Sequence, residues 1–176
     1  MKKYDKRKIL TLIIQLFSMV ALIAADLFIK NIVVSNIALY EEVGFIKGLF
    51  SWTYVQNTGM AWSMFDGNPK MLSVVTGAVI AAVLIFLALP NKRPLAYDIC
   101  IPLIVAGGGA NMIDRITRGF VVDYIKTLFV DFPVYNFADI LITCGAFSLI
   151  FYLIYEIIRD SKAEKKKKLS EEKSGE

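Results

Sequence analysis

Long apolar runs separated by short charged punctuation dominate the chain: residues 9–25, 71–89, 99–113 and 140–155 contain no charged side chain. A helix needs ~20 mainly apolar residues to cross the ~30 Å hydrocarbon core of a bilayer. Only 71–89, MLSVVTGAVIAAVLIFLAL, reaches that length unaided. The other three reach it by drawing Asp26, Asp98 or Asp114, and Asn136 with Asp139, into their end turns. The pattern predicts transmembrane helices over about 9–30, 70–89, 97–117 and 136–158, with acids at the ends of the short spans.

Between the first two helices, residues 35–69 form the longest extramembrane segment. Phe50, Trp52 and Tyr54 alternate there with Ser51 and Thr53, the period of a half-buried strand, and Asn57 and Gly59 supply turn chemistry. Trp52, Tyr54, Trp62 and Phe65 suit an aromatic belt at the interface, so the segment is expected to form a small sheet on the outer membrane surface. Residues 159–176 are rich in Lys and Glu without apolar periodicity, which predicts a solvated, partly disordered charged tail. The expected protein is therefore mainly α and integral to a membrane. One embedded domain, residues 1–158, carries four transmembrane helices and a small extracytoplasmic β-sheet.

Composition and charge sharpen this outline. The 176 residues are 56% hydrophobic, with mean hydropathy +0.56, and 20 Lys and Arg stand against 16 Asp and Glu. Five basic residues fall in 1–8, two in 90–97 and seven in 159–176, so 14 of 20 share one side if four helices alternate. The positive-inside rule makes that side, and both termini, cytoplasmic. This placement explains the positive charge better than nucleic acid, which is not an expected partner. Residues 1–25 share the basic start and small-residue end of a secretory signal peptide, but the apolar run is longer than usual, and a retained helix fits better. Cys100 and Cys144 lie in apolar runs without metal spacing and are expected as buried free thiols.

Histidine is absent, which excludes Ser-His and Cys-His nucleophiles and His-ligated zinc or haem; no metal or cofactor is expected. The candidate chemistry lies with Asp26, Asp114, Asp123 and Asp139, which alternation gathers at the outer face near Asn57, Asn111 and Asn136. Two close carboxylates share one proton, so one takes a proton from water while the other donates to a carbonyl oxygen. Which two is open from spacing alone. Asp114 and Asp123, nine residues apart, would lie on opposite faces of a continuous helix, and Gly119 offers a stop between them. A lone outer acid is otherwise a solvated helix end or an N-cap, and Asp139 before its apolar run is an N-cap candidate. The rival reading is a non-enzymatic four-helix membrane protein or proton-linked carrier, in which the acids form a relay. A relay needs polar groups through the membrane depth, yet 71–89 offers only Ser73 and Thr76.

The motifs are Asp26-x-x-x-Lys30, Asn57-x-Gly59-x-Ala61-Trp62, Asn111-x-x-Asp114-Arg115-x-x-x-Gly119-x-Val121-x-Asp123 and Pro133-x-Tyr135-Asn136-x-Ala138-Asp139-x-x-Ile142. In this order they closely resemble the lipoprotein signal peptidases, the type II signal peptidases of bacteria, over residues ~9–158. The resemblance implies a membrane aspartic endopeptidase, expected as a monomer in the bacterial cytoplasmic membrane, among membrane lipid. It would cut the signal peptide from prolipoproteins immediately before a diacylglyceryl-modified cysteine. Asp123 and Asp139 match the catalytic pair. Asp26, Lys30, Asn57, Gly59, Asn111, Asp114, Arg115 and Asn136 match positions that bind substrate or support the site. Ala110, Leu27, Ile29 and Trp62 depart from the commonest family residues without removing a titrating group.

Overall fold

The structure, a computed structural model, describes residues 6–59, 67–89 and 93–174, with side chains up to residue 165. Trp62 and Phe65 of the expected aromatic belt, with Ala61, lie outside the described residues. The element order is α1 (Lys6–Asn36), β1 (Glu42–Ile46), β2 (Phe50–Asn57), α2 (Pro69–Ala88), α3 (Leu95–Arg118), β3 (Val121–Thr127) and α4 (Phe137–Ser174). All four helices are long and apolar enough to cross a membrane. Their outward surfaces are apolar, with Phe17, Phe28, Val74 and Ile116 at least 65% exposed, as expected where lipid replaces water.

The bundle is organised around α3, which packs against each of the other three helices. Its Gly107-Gly108-Gly109 run explains how. Successive helical residues turn by ~100°, so three consecutive glycines face three directions. A Cβ on Gly107 would lie 2.3 Å from the Ala138 carbonyl of α4, one on Gly108 would meet Thr76 of α2 at 3.6 Å, and one on Gly109 would meet Ile23 of α1 at 3.3 Å. From the α4 side, a Cβ on Gly145 would come within 2.9 Å of the Cys100 carbonyl of α3. Close approach at small residues drives helix association where lipid removes the hydrophobic incentive. Beside the glycines an apolar cluster of Met19, Leu87, Ile101, Val105, Ala106 and Leu141 fills the middle of the bundle.

At the end of the bundle where α1 starts, Gln15 Nε2 donates to Asp98 Oδ1 at 3.0 Å, and Lys8 and Arg93 cap carbonyls at the end of α2. The opposite end carries the sheet, antiparallel in the order β1-β2-β3. Its third strand does not come from 35–69 but from the link after α3. Gly119, at φ 83°, ends α3 in the left-handed region and turns the chain into Val121–Thr127, whose β-branched and aromatic residues suit a strand. At 31 residues α1 is about 46 Å long, so its last turns rise beyond the bilayer core. There Val33 packs with Tyr54, Val122 and Tyr124 and supports the sheet.

Three further expectations change. In β2, Ser51 and Thr53 are buried while Trp52 is only half-buried; Ser51 Oγ donates to Glu42 Oε1 at 2.9 Å, and a register shift between Trp52 and Val55 breaks the simple alternation. Cys100 is buried, but Cys144 is exposed on α4, where an apolar environment outside the protein suits a thiol as well as a core does. The charged segment from 159 is helical to Ser174 because Lys, Glu and Ala propagate an existing helix well, even without an apolar stripe.

Candidate active site

Helical spacing assembles the site. Asp26 and Lys30 stand four residues apart on α1, and Asn111, Asp114, Arg115 and Arg118 recur at three, four and seven on one side of α3. Lys30 Nζ is fully buried among three acceptors: it lies 2.8 Å from Asp26 Oδ2 and 3.0 Å from Asp114 Oδ2 as ion pairs, and donates to Asn111 Oδ1 at 2.7 Å. Asp114 also meets Arg118 Nε at 3.1 Å and accepts the Val122 backbone N–H at 3.2 Å. The acid is thus a strut between α3 and β3, with its charge matched. Arg118, which spacing relative to Asp114 could have revealed, was missed by the motif reading.

The head of α4 is held from three sides. Asn136 is the residue before the helix, and Asp139 stands three further on. The Asp139 N–H donates to Asn136 Oδ1 at 2.9 Å while the Asn136 N–H donates to Asp139 Oδ2 at 3.1 Å, a reciprocal capping box. Asn136, not Asp139, is therefore the N-cap. The Ala138 N–H donates to Asp26 Oδ1 at 2.9 Å, and the Phe137 N–H to the Tyr124 hydroxyl at 3.1 Å. Burial pushes the Tyr124 phenol up, which keeps it neutral in this role. Tyr124 too was not among the sequence candidates, although it directly follows Asp123.

Asp123 reaches the same point from the sheet. β2 and β3 pair Asn57 with Val121 and Val55 with Asp123, so Asn57 is the diagonal neighbour of Asp123. Asn57 Nδ2 donates to Asp123 Oδ2 at 2.9 Å, and Asn136 Nδ2 donates to Asp123 Oδ1 at 2.6 Å. Asn111 Nδ2 in turn donates to Asp139 Oδ1 at 2.8 Å. Asn136 therefore bonds both Asp123 and Asp139, and Asn111 bonds Asp139 and Lys30. Asn57 Oδ1 also accepts the Gly59 N–H at 3.0 Å, and the Gly59 carbonyl accepts Arg115 Nη2 at 2.7 Å. Among the described residues Arg115 thus bonds the Gly59 carbonyl and not its neighbour Asp114. All ten sequence-selected residues fall in this one network.

Electrostatically the network divides in two. Asp26 and Asp114 are balanced by Lys30 and Arg118. Asp123 and Asp139 have Arg115 as the remaining cation near both, so one shared proton makes this part neutral. Burial, and then the nearby Asp139 carboxylate, push the Asp123 carboxyl up to about 7, although Asn57 and Asn136 oppose the rise. Two buried carboxyls with one cation near both can hold a single proton between them. A relay across the membrane is interrupted: the apolar cluster separates the network from Gln15 and Asp98, and the 11 residues from Gln15 to Asp26 span about 16 Å of α1.

Comparison with known proteins agrees with this construction. A family profile described as Signal peptidase (SPase) II matches residues 18–155. The lipoprotein signal peptidase of Enterococcus faecalis is 36% identical over 148 residues, covering 84% of this chain and 89% of its own. That of Lactococcus lactis subsp. lactis is 40% identical over 148 residues, covering 84% and 95%. A solved bacterial membrane enzyme superposes with a TM-score of 0.76 at 27% identity, over 81% of this chain and 88% of its own. With four membrane helices, a small three-stranded sheet at one end and a family match spanning every residue of the network, the chain belongs to the signal peptidase II family of membrane peptidases.

Proposed function

We propose that this peptidase removes the signal peptide from bacterial prolipoproteins, cutting before a diacylglyceryl-modified cysteine, with Asp123 and Asp139 as its acid/base pair. The observation that carries the pair is Asn136, whose side-chain amide bonds Asp123 and whose capping box holds Asp139. Asp123, with the raised carboxyl, holds the shared proton and donates it to the scissile carbonyl oxygen. Asp139 accepts a proton from water, and the resulting hydroxide equivalent attacks the carbonyl carbon. Collapse of the tetrahedral species then returns a proton to the departing amine. Asp26, Lys30, Asn111 and Asp114 keep the helix heads in register, while Asn57, Gly59 and Arg115 connect the pair to the segment after β2.

In this reading the site lies at the outer membrane-water boundary of the bacterial cytoplasmic membrane, and the enzyme acts as a monomer among membrane lipid. The start of α1 and the far half of α4 lie at one end of the bundle, opposite the site, as two cytoplasmic termini require. A cysteine introduced at Ser170 should resist external labelling in intact cells; labelling there would reverse the topology.

Cleavage of a lipidated precursor by purified protein in detergent tests the chemistry. Asp123→Asn and Asp139→Asn should each lower turnover by about 10³-fold while remaining folded, since an amide neither deprotonates water nor donates as a carboxylic acid does. Asp114→Asn should lower stability more than turnover per folded molecule. Near wild-type cleavage by Asp123→Asn, with Asp114→Asn folded and inert, would move the pair to Asp114 and Asp139. Cleavage of an unlipidated precursor as fast as a lipidated one would contradict the substrate assignment.

A further inference from the structure

The start of α4 presents backbone N–H groups that have no partner inside the helix, those of Asn136, Phe137, Ala138 and Asp139. Three of them are taken by acids and an amide of the polar network: Asp139 Oδ2 accepts the first, Asp26 Oδ1 the third and Asn136 Oδ1 the fourth. The second, on Phe137, goes to the Tyr124 hydroxyl at 3.1 Å. Asp139 stands two residues beyond Phe137 in this same turn, and Tyr124 stands next to Asp123 in β3.

β3 therefore grips the head of α4 from both of its faces, because successive strand residues point to opposite sides. Asp123 receives Asn136 Nδ2 at 2.6 Å on one side, and Tyr124, which packs with Val122 and Val33, receives the Phe137 N–H on the other. The backbone just before the helix is tied down as well. The Tyr124 and Ile125 N–H groups donate to the Tyr135 carbonyl at 3.0 and 2.7 Å, and the Tyr135 N–H donates to the Ile125 carbonyl at 3.1 Å. Tyr124 is itself held: it is 1% exposed, with its ring 5.8 Å from that of Trp52, which lies 4.7 Å from Phe45. A phenyl ring would satisfy this apolar cluster equally well. A buried hydroxyl costs free energy unless it is bonded, and the bond it makes is the one to α4.

We infer that Tyr124 is a positioning residue for the reaction, acting on Asp139 through the Phe137 N–H, an inference that rests on the Asp123 and Asp139 reading above. Without the phenol oxygen the Phe137 N–H, flanked by the fully buried Asn136 and Ala138, competes for the acceptors beside it, Asp26 Oδ1 and Asn136 Oδ1. Either exchange rotates the first turn of α4 and loosens the capping box that orients Asp139. The carboxyl then leaves its place opposite Asp123, which slows the chemical step while the substrate still docks as before.

The test follows cleavage of a lipidated precursor by the purified full chain in detergent, per folded molecule and well below each Tm. Tyr124→Phe keeps the ring and should lower kcat about fivefold, with KM unchanged within about twofold. Tyr54→Phe is the control, since that hydroxyl accepts Gln56 Nε2 at 2.8 Å rather than a group of α4, and its kcat should stay at the wild-type level. Phe137→Pro deletes the N–H itself at a helix position where proline fits. Whatever rate that variant has, adding Tyr124→Phe should change its kcat by less than about twofold, because the bond is already gone. Wild-type kcat in Tyr124→Phe, even with a lower Tm, would make Tyr124 a structural residue and overturn the inference. So would a loss carried by KM, or one of the same size in the Phe137→Pro background; each of these leaves the peptidase reading in place. If Asp123→Asn and Asp139→Asn both keep wild-type turnover, the pair assignment fails and this inference falls with it.

Discussion

α2 and α3 are consecutive helices of similar length, 20 and 24 residues, placed in opposite environments. Over the 18-residue stretches that qualify each as a span, 11% of α2 is buried and 44% of α3, although α2 is the more apolar. α3 holds Pro102, three successive glycines, Asn111, Asp114 and Arg115, yet it sits at the centre. In water this ordering would be inverted. In a bilayer the solvent is itself apolar, so hydrophobicity no longer selects the core; small residues that permit close approach and polar groups that satisfy one another do. The helix that reads as the poorer membrane span is therefore the one that organises both fold and site.

The strongest way to break this contrast is to remove the cation beneath the polar side of α3. Lys30→Met leaves buried Asp26 and Asp114 without their common partner, and should cost about 3–5 kcal/mol. Thermal unfolding in detergent would show it, and an unchanged Tm would mean that the acids are held by something other than this ion pair. Asp26→Asn combined with Lys30→Met should recover part of the loss, because one unpaired charge is gone.

Next in size is the same substitution placed on each helix. Gly107→Ala forces a Cβ to 2.3 Å from the Ala138 carbonyl, so α4 must move away; about 3 kcal/mol is expected. Gly77→Ala on α2 meets only the flexible Met112 Sδ at 3.4 Å and should be neutral or stabilising by ~0.5–1 kcal/mol through helix propensity. Equal effects would mean that the two helices are packed alike.

A smaller and more specific effect concerns pH. With the Asp123 carboxyl raised to about 7, the shared proton is present below that pH and lost above it, so kcat should fall about tenfold per unit on the alkaline side. Asn57→Ala removes a hydrogen bond that favours the ionised form. The value then rises further, and the alkaline limb should move to higher pH by up to about one unit. A limb moving to lower pH would reverse the sign of this contact. Smallest of all, Val74→Leu on the exposed side of α2 should change stability by no more than ~0.5 kcal/mol and leave the pH profile in place.

The sequence by itself determined the four spans, the gathering of the acids at one end of the bundle and the absence of histidine chemistry. Each is a local property: run length against bilayer thickness, the placement of charge at helix ends, and residue inventory. The motif order further selected ten residues of the polar network, though not Arg118 or Tyr124, and spacing alone put Asp26 with Lys30 and Asn111 with Asp114 on common sides. Only the tertiary structure decided what those residues do to one another. Asp114 became a strut when the chain reversed at Gly119 and brought the Val122 N–H to it. Asp123 met Asn57, 66 residues earlier in the chain, when β3 joined the sheet, and the third strand was obscure because seven residues of β-branched and aromatic character become a strand only beside a partner. The burial of Ser51 over Trp52 likewise depended on Glu42 and on a register shift. Helices form from contacts within four residues and are legible in order. A site made of contacts between distant segments depends on how closely those helices approach, and here three glycines on three sides of α3 set that distance.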